Sequence, residues 1–388
     1  MIAIGTDEAG YGPNLGPLLV GISRWRIDAE EPEFATFMSD APRAARDAKP
    51  KRRRKKSSDS SGPTLFALEF EEPEQIDLVS RAVDRLNDGL APISGIKGAF
   101  PLVDSKKLYG GSKSLAALER SFWLARGIVV GSTPTRASFR SVLSDVALER
   151  AGGSEPPWER GVDFRLPLDP KTGDFSELEE RFGTIRATLS EAGIALEETA
   201  ARRVQALEFN ALIDKLGLKS DLIAEATTSL VVESLGRANL RDSETRTVVA
   251  LCDKLGGRDR YAPILRSRFP GSEPKALSES RSESRYRLIA ERGLDREGAE
   301  VAFGKRLAIE FRFAAKGESN APTALASICA KYLREVSMAA LNDFWRTKVG
   351  DSLAPTAGYP VDAARFRSEV ESSRRELGIS DDEFWRKK

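Results

Sequence analysis

Two adjacent acids, Asp7 and Glu8, follow directly on the apolar run Ile2-Ala3-Ile4-Gly5. Four structure-breaking residues, Gly10, Gly12, Pro13 and Gly16, come in quick succession after them. The run reads as a strand and the break as a loop. Like charges at a strand end repel, and the repulsion eases only if a cation sits between them or one acid takes up a proton. Glycines let backbone N–H groups approach an anion. The stretch therefore presents a cation site beside a phosphate site. A solvated acidic turn after an edge strand would be written with the same residues.

Composition narrows the chemistry. The 388 residues suffice for one large domain or two ordinary ones. The 60 Lys+Arg and 59 Asp+Glu nearly cancel, so overall charge says nothing about partners. There is no histidine, which excludes Ser-His-Asp and Cys-His catalysis, histidine-ligated zinc and a histidine base. Acid–base chemistry is left to carboxylates, lysine, tyrosine or metal-bound water. Cys252 and Cys329 are far apart and fit a reduced chain with two buried thiols. No apolar run approaches the roughly 18 residues of a membrane span. The expectation is a soluble, cytoplasmic protein without a signal peptide, and a monomer.

Leu18-Leu19-Val20-Gly21-Ile22 reads as a second strand paired with the first. Residues 31–62 carry Lys51-Arg52-Arg53-Arg54-Lys55-Lys56 and then serines, and are expected to be a basic, disordered insertion. Leu65 to Phe70 reads as a strand. Leu102-Val103 runs into Asp104-Ser105-Lys106-Lys107, where lysines at a strand-to-helix boundary are placed to hold phosphate, or simply to face water. Residues 132–205 are expected to be an insertion or elaborated flank, and Phe209 to Leu235 one or two helices. Thr247-Val248-Val249-Ala250-Leu251-Cys252-Asp253 is the cleanest buried strand, and its terminal acid lies where α/β sites are usually built. Residues 275–305 are expected to be a charged insertion.

A helix is expected from Asn320, which can cap it, with Pro322 in the first turn. Ala324, Ile328, Lys331 and Glu335 share one face at i, i+4, i+7 and i+11. Lys331 and Glu335 read either as part of a site or as a surface ion pair. Lys before Glu is the less favourable order and is worth little, about 0.3–0.5 kcal/mol, which favours a site. Beyond it, Gly358-Tyr359-Pro360 is a tight turn leading into a C-terminal helix over 361–388.

These stretches resemble, in order, those of the type 2 ribonucleases H, the family of ribonuclease HII and its archaeal and eukaryotic relatives. Thr6 to Pro17 is similar to the family's D-E-A-G-R-G-P-x-x-G-P opening. Asp104 to Leu108 is similar to D-S-K-K-L, and the strand ending at Asp253 resembles the one carrying the third acid. Tyr261 and Phe269-Pro270-Gly271 resemble the archaeal and eukaryotic branch. Lys316-Gly317-Glu318-Ser319 is similar to K-A-D-S, and Ala326 to Glu335 to A-S-I-x-A-K-x-x-R-D. Gly358-Tyr359-Pro360 matches G-Y-P. The chain would be a divergent member with large insertions in a single catalytic domain spanning 1–388.

The resemblance implies an α/β, RNase H-like fold, with a mixed central sheet flanked by helices. It implies two-metal-ion hydrolysis of RNA in RNA–DNA hybrids, or at ribonucleotides embedded in duplex DNA. Asp7, Glu8, Asp253 and Glu335 would be the catalytic acids and hold Mg²⁺ or Mn²⁺, which prefer oxygen ligands. Gly10, Tyr11, Gly12, Lys106, Lys107, Lys331 and Tyr359 would contact substrate, Tyr359 by stacking on a sugar. The chain departs from the family twice. Glu335 stands for an Asp, and Tyr11 for the Arg of G-R-G, which removes a cation from the loop implied to grip the ribonucleotide 2′-OH. A non-catalytic descendant that binds hybrids or structured nucleic acid is the alternative.

Overall fold

The computed structural model describes residues 1–32, 37–38, 77–94, 102, 115–132, 136–149, 155–160, 162, 164–169, 172, 175–241, 244–315 and 320–387. The expected basic insertion and the strand expected at Leu65 to Phe70 lie largely or wholly outside them. The strands are β1 (Ile2–Ala9), β2 (Leu18–Ile27), β3 (Ala137–Ser138), β4 (Ala147–Leu148), β5 (Arg165–Leu166), β6 (Ile194–Val204), β7 (Thr247–Asp253), β8 (Lys275–Glu279), β9 (Glu283–Leu294) and β10 (Glu300–Ala314). The helices are α1 (Leu78–Ser94), α2 (Ala116–Val130), α3 (Phe139–Val146), α4 (Phe175–Glu191), α5 (Ala206–Leu216), α6 (Lys219–Arg237), α7 (Ala262–Arg268), α8 (Ala321–Val349), α9 (Pro360–Glu376) and α10 (Asp381–Phe384).

Eight strands form one sheet in the order β4-β6-β2-β1-β7-β10-β9-β8. The β6-β2-β1 pairings are antiparallel, and β1-β7-β10 run parallel. The expected mixed central sheet flanked by helices is what the chain forms. Successive side chains on a strand point to opposite faces, and the two cores follow that alternation. Ala3, Val249 and Leu251 pack with α8 residues such as Leu325 and Cys329. Ile2, Ile4, Val248 and Ala250 pack with α5 and α6 residues such as Phe209 and Leu230. The apolar runs of β1 and β7 are continuous because both faces are covered.

The long helix α8 starts as its residues require. Asn320 Oδ1 accepts from the Thr323 amide at 3.0 Å, and Pro322 lies in the first turn. It lies directly on β1 and β2 because both strands carry glycine beneath it. A Cβ on Gly5 would lie 2.0 Å from the Pro322 carbonyl carbon, and one on Gly21 2.0 Å from the Ala326 carbonyl oxygen. Gly21 pairs with Asp7 across β1 and β2, so this close approach is made beside the acids. Gly21→Ala is expected to cost about 3 kcal/mol or more by forcing α8 outward, measured by urea unfolding against the wild type.

Two stretches expected as insertions supply sheet strands. Within 132–205, β6 pairs with β2 from Leu18–Val204 to Ile27–Ile194. Within 275–305 lie β8, β9 and the start of β10, which extend the sheet past β10. Their charges disguise them. In β9, Ser284, Tyr286, Leu288 and Ala290 are buried at every second position, while Arg285 and Arg287 pair with buried Glu310 of β10. The C-terminal helix expected over 361–388 is α9 followed by the short α10. Among the described residues no helix is long and apolar enough to cross a membrane.

Candidate metal centre

The register of the central strands brings the acids together. β1 and β7 are parallel, with Thr6 beside Cys252, so the next residues, Asp7 and Asp253, close adjacent strands at their C-terminal ends. Alternation from Ala3 and from Leu251 turns both toward α8. Glu8 follows Asp7 on the same strand. One carboxylate oxygen each from Asp7, Glu8 and Asp253 lies within 4.8 Å of the others.

Asp7 is buried, whereas Glu8 and Asp253 are part-exposed. The Asp7 carboxyl is pushed up to about 7, first by burial and then by the negative charge of Glu8, with Asp253 adding to the effect. The Ser327 hydroxyl of α8 and the Glu8 amide donate to it and hold it back. Three convergent acids without a cation are mutually unfavourable. Their donor set is all carboxylate oxygen, which suits a hard divalent ion such as Mg²⁺ or Mn²⁺ and not a soft one.

Glu335 is not within that radius of all three acids. It lies two turns beyond Ser327 on α8 and accepts from Lys331 Nζ at 2.6 Å, with Arg334 Nη1 at 3.7 Å. The ion pair set aside in the sequence is therefore formed, and Lys331 is engaged in it. A lysine one turn away meets Glu335 directly. Lys106, Lys107 and residues 316–319 lie outside the described residues.

Past the acids, the loop from Gly10 to Gly16 is shaped by the two C-terminal segments. Gly10 has φ +89°, and a Cβ there would lie 2.8 Å from Arg334 Nε. Arg334 Nη2 donates to the Ala357 carbonyl at 2.8 Å, and its guanidinium lies 5.9 Å from the centre of the Tyr359 ring. Tyr359 is 54 % exposed, and a Cβ on Gly12 would approach its ring to 3.8 Å. Gly358 accepts from the amides of Asn14 and Leu15 at 2.8 and 3.3 Å. Gly10, Gly12 and Tyr359 thus share one surface. Tyr11 turns the other way, its hydroxyl beside Gly256, and burial and then the charge of Glu8 raise its phenol above the usual range.

Ser327 and Arg334 were not singled out as site residues in the sequence, although both stand in the quoted helix segment. The signal was spacing, since Ser327 lies four residues before Lys331 and eight before Glu335 and so faces the acids.

No protein-family model matches the sequence, and no curated protein does. The structure is similar to solved ribonucleases H. It covers 99 % of this chain and 92 % of the ribonuclease H2 from Pyrococcus horikoshii OT3, at 14 % identity and a TM-score of 0.38. For RNase HII in its complex with PCNA from Archaeoglobus fulgidus the coverages are 99 % and 93 %, at 12 % identity and a TM-score of 0.34. For Bst-RNase HIII in complex with Mn²⁺ they are 100 % and 66 %, at 12 % identity and a TM-score of 0.37.

Proposed function

We propose that this chain is a metal-dependent endoribonuclease of the type 2 ribonuclease H kind. It would cleave RNA in RNA–DNA hybrids or at ribonucleotides embedded in duplex DNA. The convergence of Asp7, Glu8 and Asp253 at the ends of two parallel strands supports this best, together with the ordered motifs in which those acids stand. They would hold Mg²⁺ or Mn²⁺, with Glu335 as a fourth acid once released by Lys331. Such ions supply Lewis acidity at a phosphodiester oxygen and an ionised water near neutral pH.

The chain's own residues would do the rest. Ser327 holds the Asp7 carboxylate in place through its hydroxyl. Exposed Gly12 lets backbone groups approach the scissile strand, and exposed Tyr359 gives a flat surface for a sugar. Contact with a 2′-OH is what separates RNA from DNA at such a surface. The Lys331–Glu335 pair and the missing cation at Tyr11 favour a second reading, a non-catalytic binder of hybrids.

Purified protein with Mg²⁺ or Mn²⁺ is expected to cut a labelled RNA–DNA hybrid, or duplex DNA carrying one ribonucleotide, and to leave all-DNA duplex intact. Folded protein that binds the hybrid and cuts neither substrate would establish the second reading. Protein that does neither would remove both.

A further inference from the structure

Arg386, in the stretch after α10, is fully buried. Its guanidinium sits 4.9 Å from the centre of the Phe209 ring and donates through Nη2 to the Pro13 carbonyl. Nε and Nη1 are buried without a hydrogen-bond partner. Among the described residues no carboxylate pairs with it. The charge that bears on it is the like charge of Arg334.

A buried cation without a counter-ion is costly, and an apolar side chain of similar volume in its place is often neutral or stabilising. Packing alone therefore does not account for Arg386. What it does hold is the loop beside the acids. Its amide donates to the Asn14 carbonyl at 2.9 Å, and Asn14 Nδ2 donates back to the Arg386 carbonyl at 3.0 Å. Asn210 of α5 ties the same segment down, donating to the Trp385 carbonyl and accepting from the Lys387 amide, each at 2.8 Å. Gly358 grips the Asn14 and Leu15 amides from the other side. Gly10 to Gly12 lie directly upstream, with Arg334 against Gly10.

We propose that Arg386 is a positioning residue. Its contact with Pro13 sets the loop from Gly10 to Leu15 beside the acids, and its charge, with that of Arg334, favours a polyanionic strand on the loop's open face. The inference rests on the proposed function, in that the strand is nucleic acid.

The test uses the full chain with Arg386→Met and Arg386→Lys. It reads amide exchange, thermal midpoint and affinity for a labelled hybrid without metal. Arg386→Met is expected to keep a midpoint no lower than wild type. It should speed exchange at Asn14 and Leu15, and weaken hybrid binding, by about tenfold each. Arg386→Lys, which keeps the charge and a donor, should stay within about threefold of wild type on both. Unchanged loop exchange and affinity in Arg386→Met would overturn the proposal. So would a lowered midpoint with faster exchange throughout β1, β2 and β7, the mark of a purely structural residue. If wild-type protein binds no hybrid, the nuclease reading fails, and loop exchange alone still decides whether Arg386 positions the loop.

Discussion

Asp7→Asn is expected to abolish cleavage while making the metal-free protein more stable. The loss should be at least ~10³-fold, equivalent to ~4 kcal/mol of transition-state stabilisation, because a carboxylate ligand is removed. The gain follows from the same burial. Above about pH 7, folding must hold Asp7 ionised among Glu8 and Asp253 in a dry setting that pushes its carboxyl up to about 7 from 3.8. A neutral amide of the same shape escapes that cost and still accepts from Ser327. At pH 8 without metal the variant should be roughly 2–4 kcal/mol more stable than wild type by urea unfolding. Below pH 4, where wild-type Asp7 is protonated, the two should converge. A variant that is both inactive and less stable at pH 8 would mean that Asp7 holds the fold together and not a cation.

Metal should offset much of the pH dependence of stability. With Asp7 raised above its unfolded value, the native state keeps a proton that the unfolded chain has released. The stabilisation from that proton is complete below about pH 4 and is lost as pH rises through about 7. Metal-free protein should therefore lose up to ~4 kcal/mol across this window from Asp7. Divalent ions bind the ionised acids, so Mn²⁺ at a hundredfold above its dissociation constant should restore ~2.7 kcal/mol at pH 8 and far less at pH 5. Thermal unfolding at the two pH values, with Mn²⁺ and with chelator, reads this directly. An equal Mn²⁺ effect at both values would place the ion elsewhere.

The parts of this site legible in the sequence were those where backbone and side chain ask for the same thing. Ile2-Ala3-Ile4 and Thr247 to Cys252 are apolar at every position because helices cover both faces of β1 and β7. Asn320 and Pro322 start α8 wherever the chain around them goes. The strands β6 and β9 were hidden because their buried arginines look like solvent-facing charge. Arg202 and Arg203 of β6 are buried against Glu225 and Glu159, and Arg287 of β9 against Glu310. Partners from remote segments leave no local trace. At Glu335 the helix face was readable, and so was the ion pair with Lys331, as the alternative to a site. Arg386 touches Pro13 across almost the whole chain, and no spacing rule reaches that far.

The most direct measurement is the anomalous scattering of Mn²⁺ in crystals grown with the ion near pH 8. A peak within about 2.5 Å of oxygens of Asp7, Glu8 and Asp253 is the expected result. Crystals that show Mn²⁺ elsewhere, or no peak between these strands with the three carboxylates splayed into solvent, would contradict it.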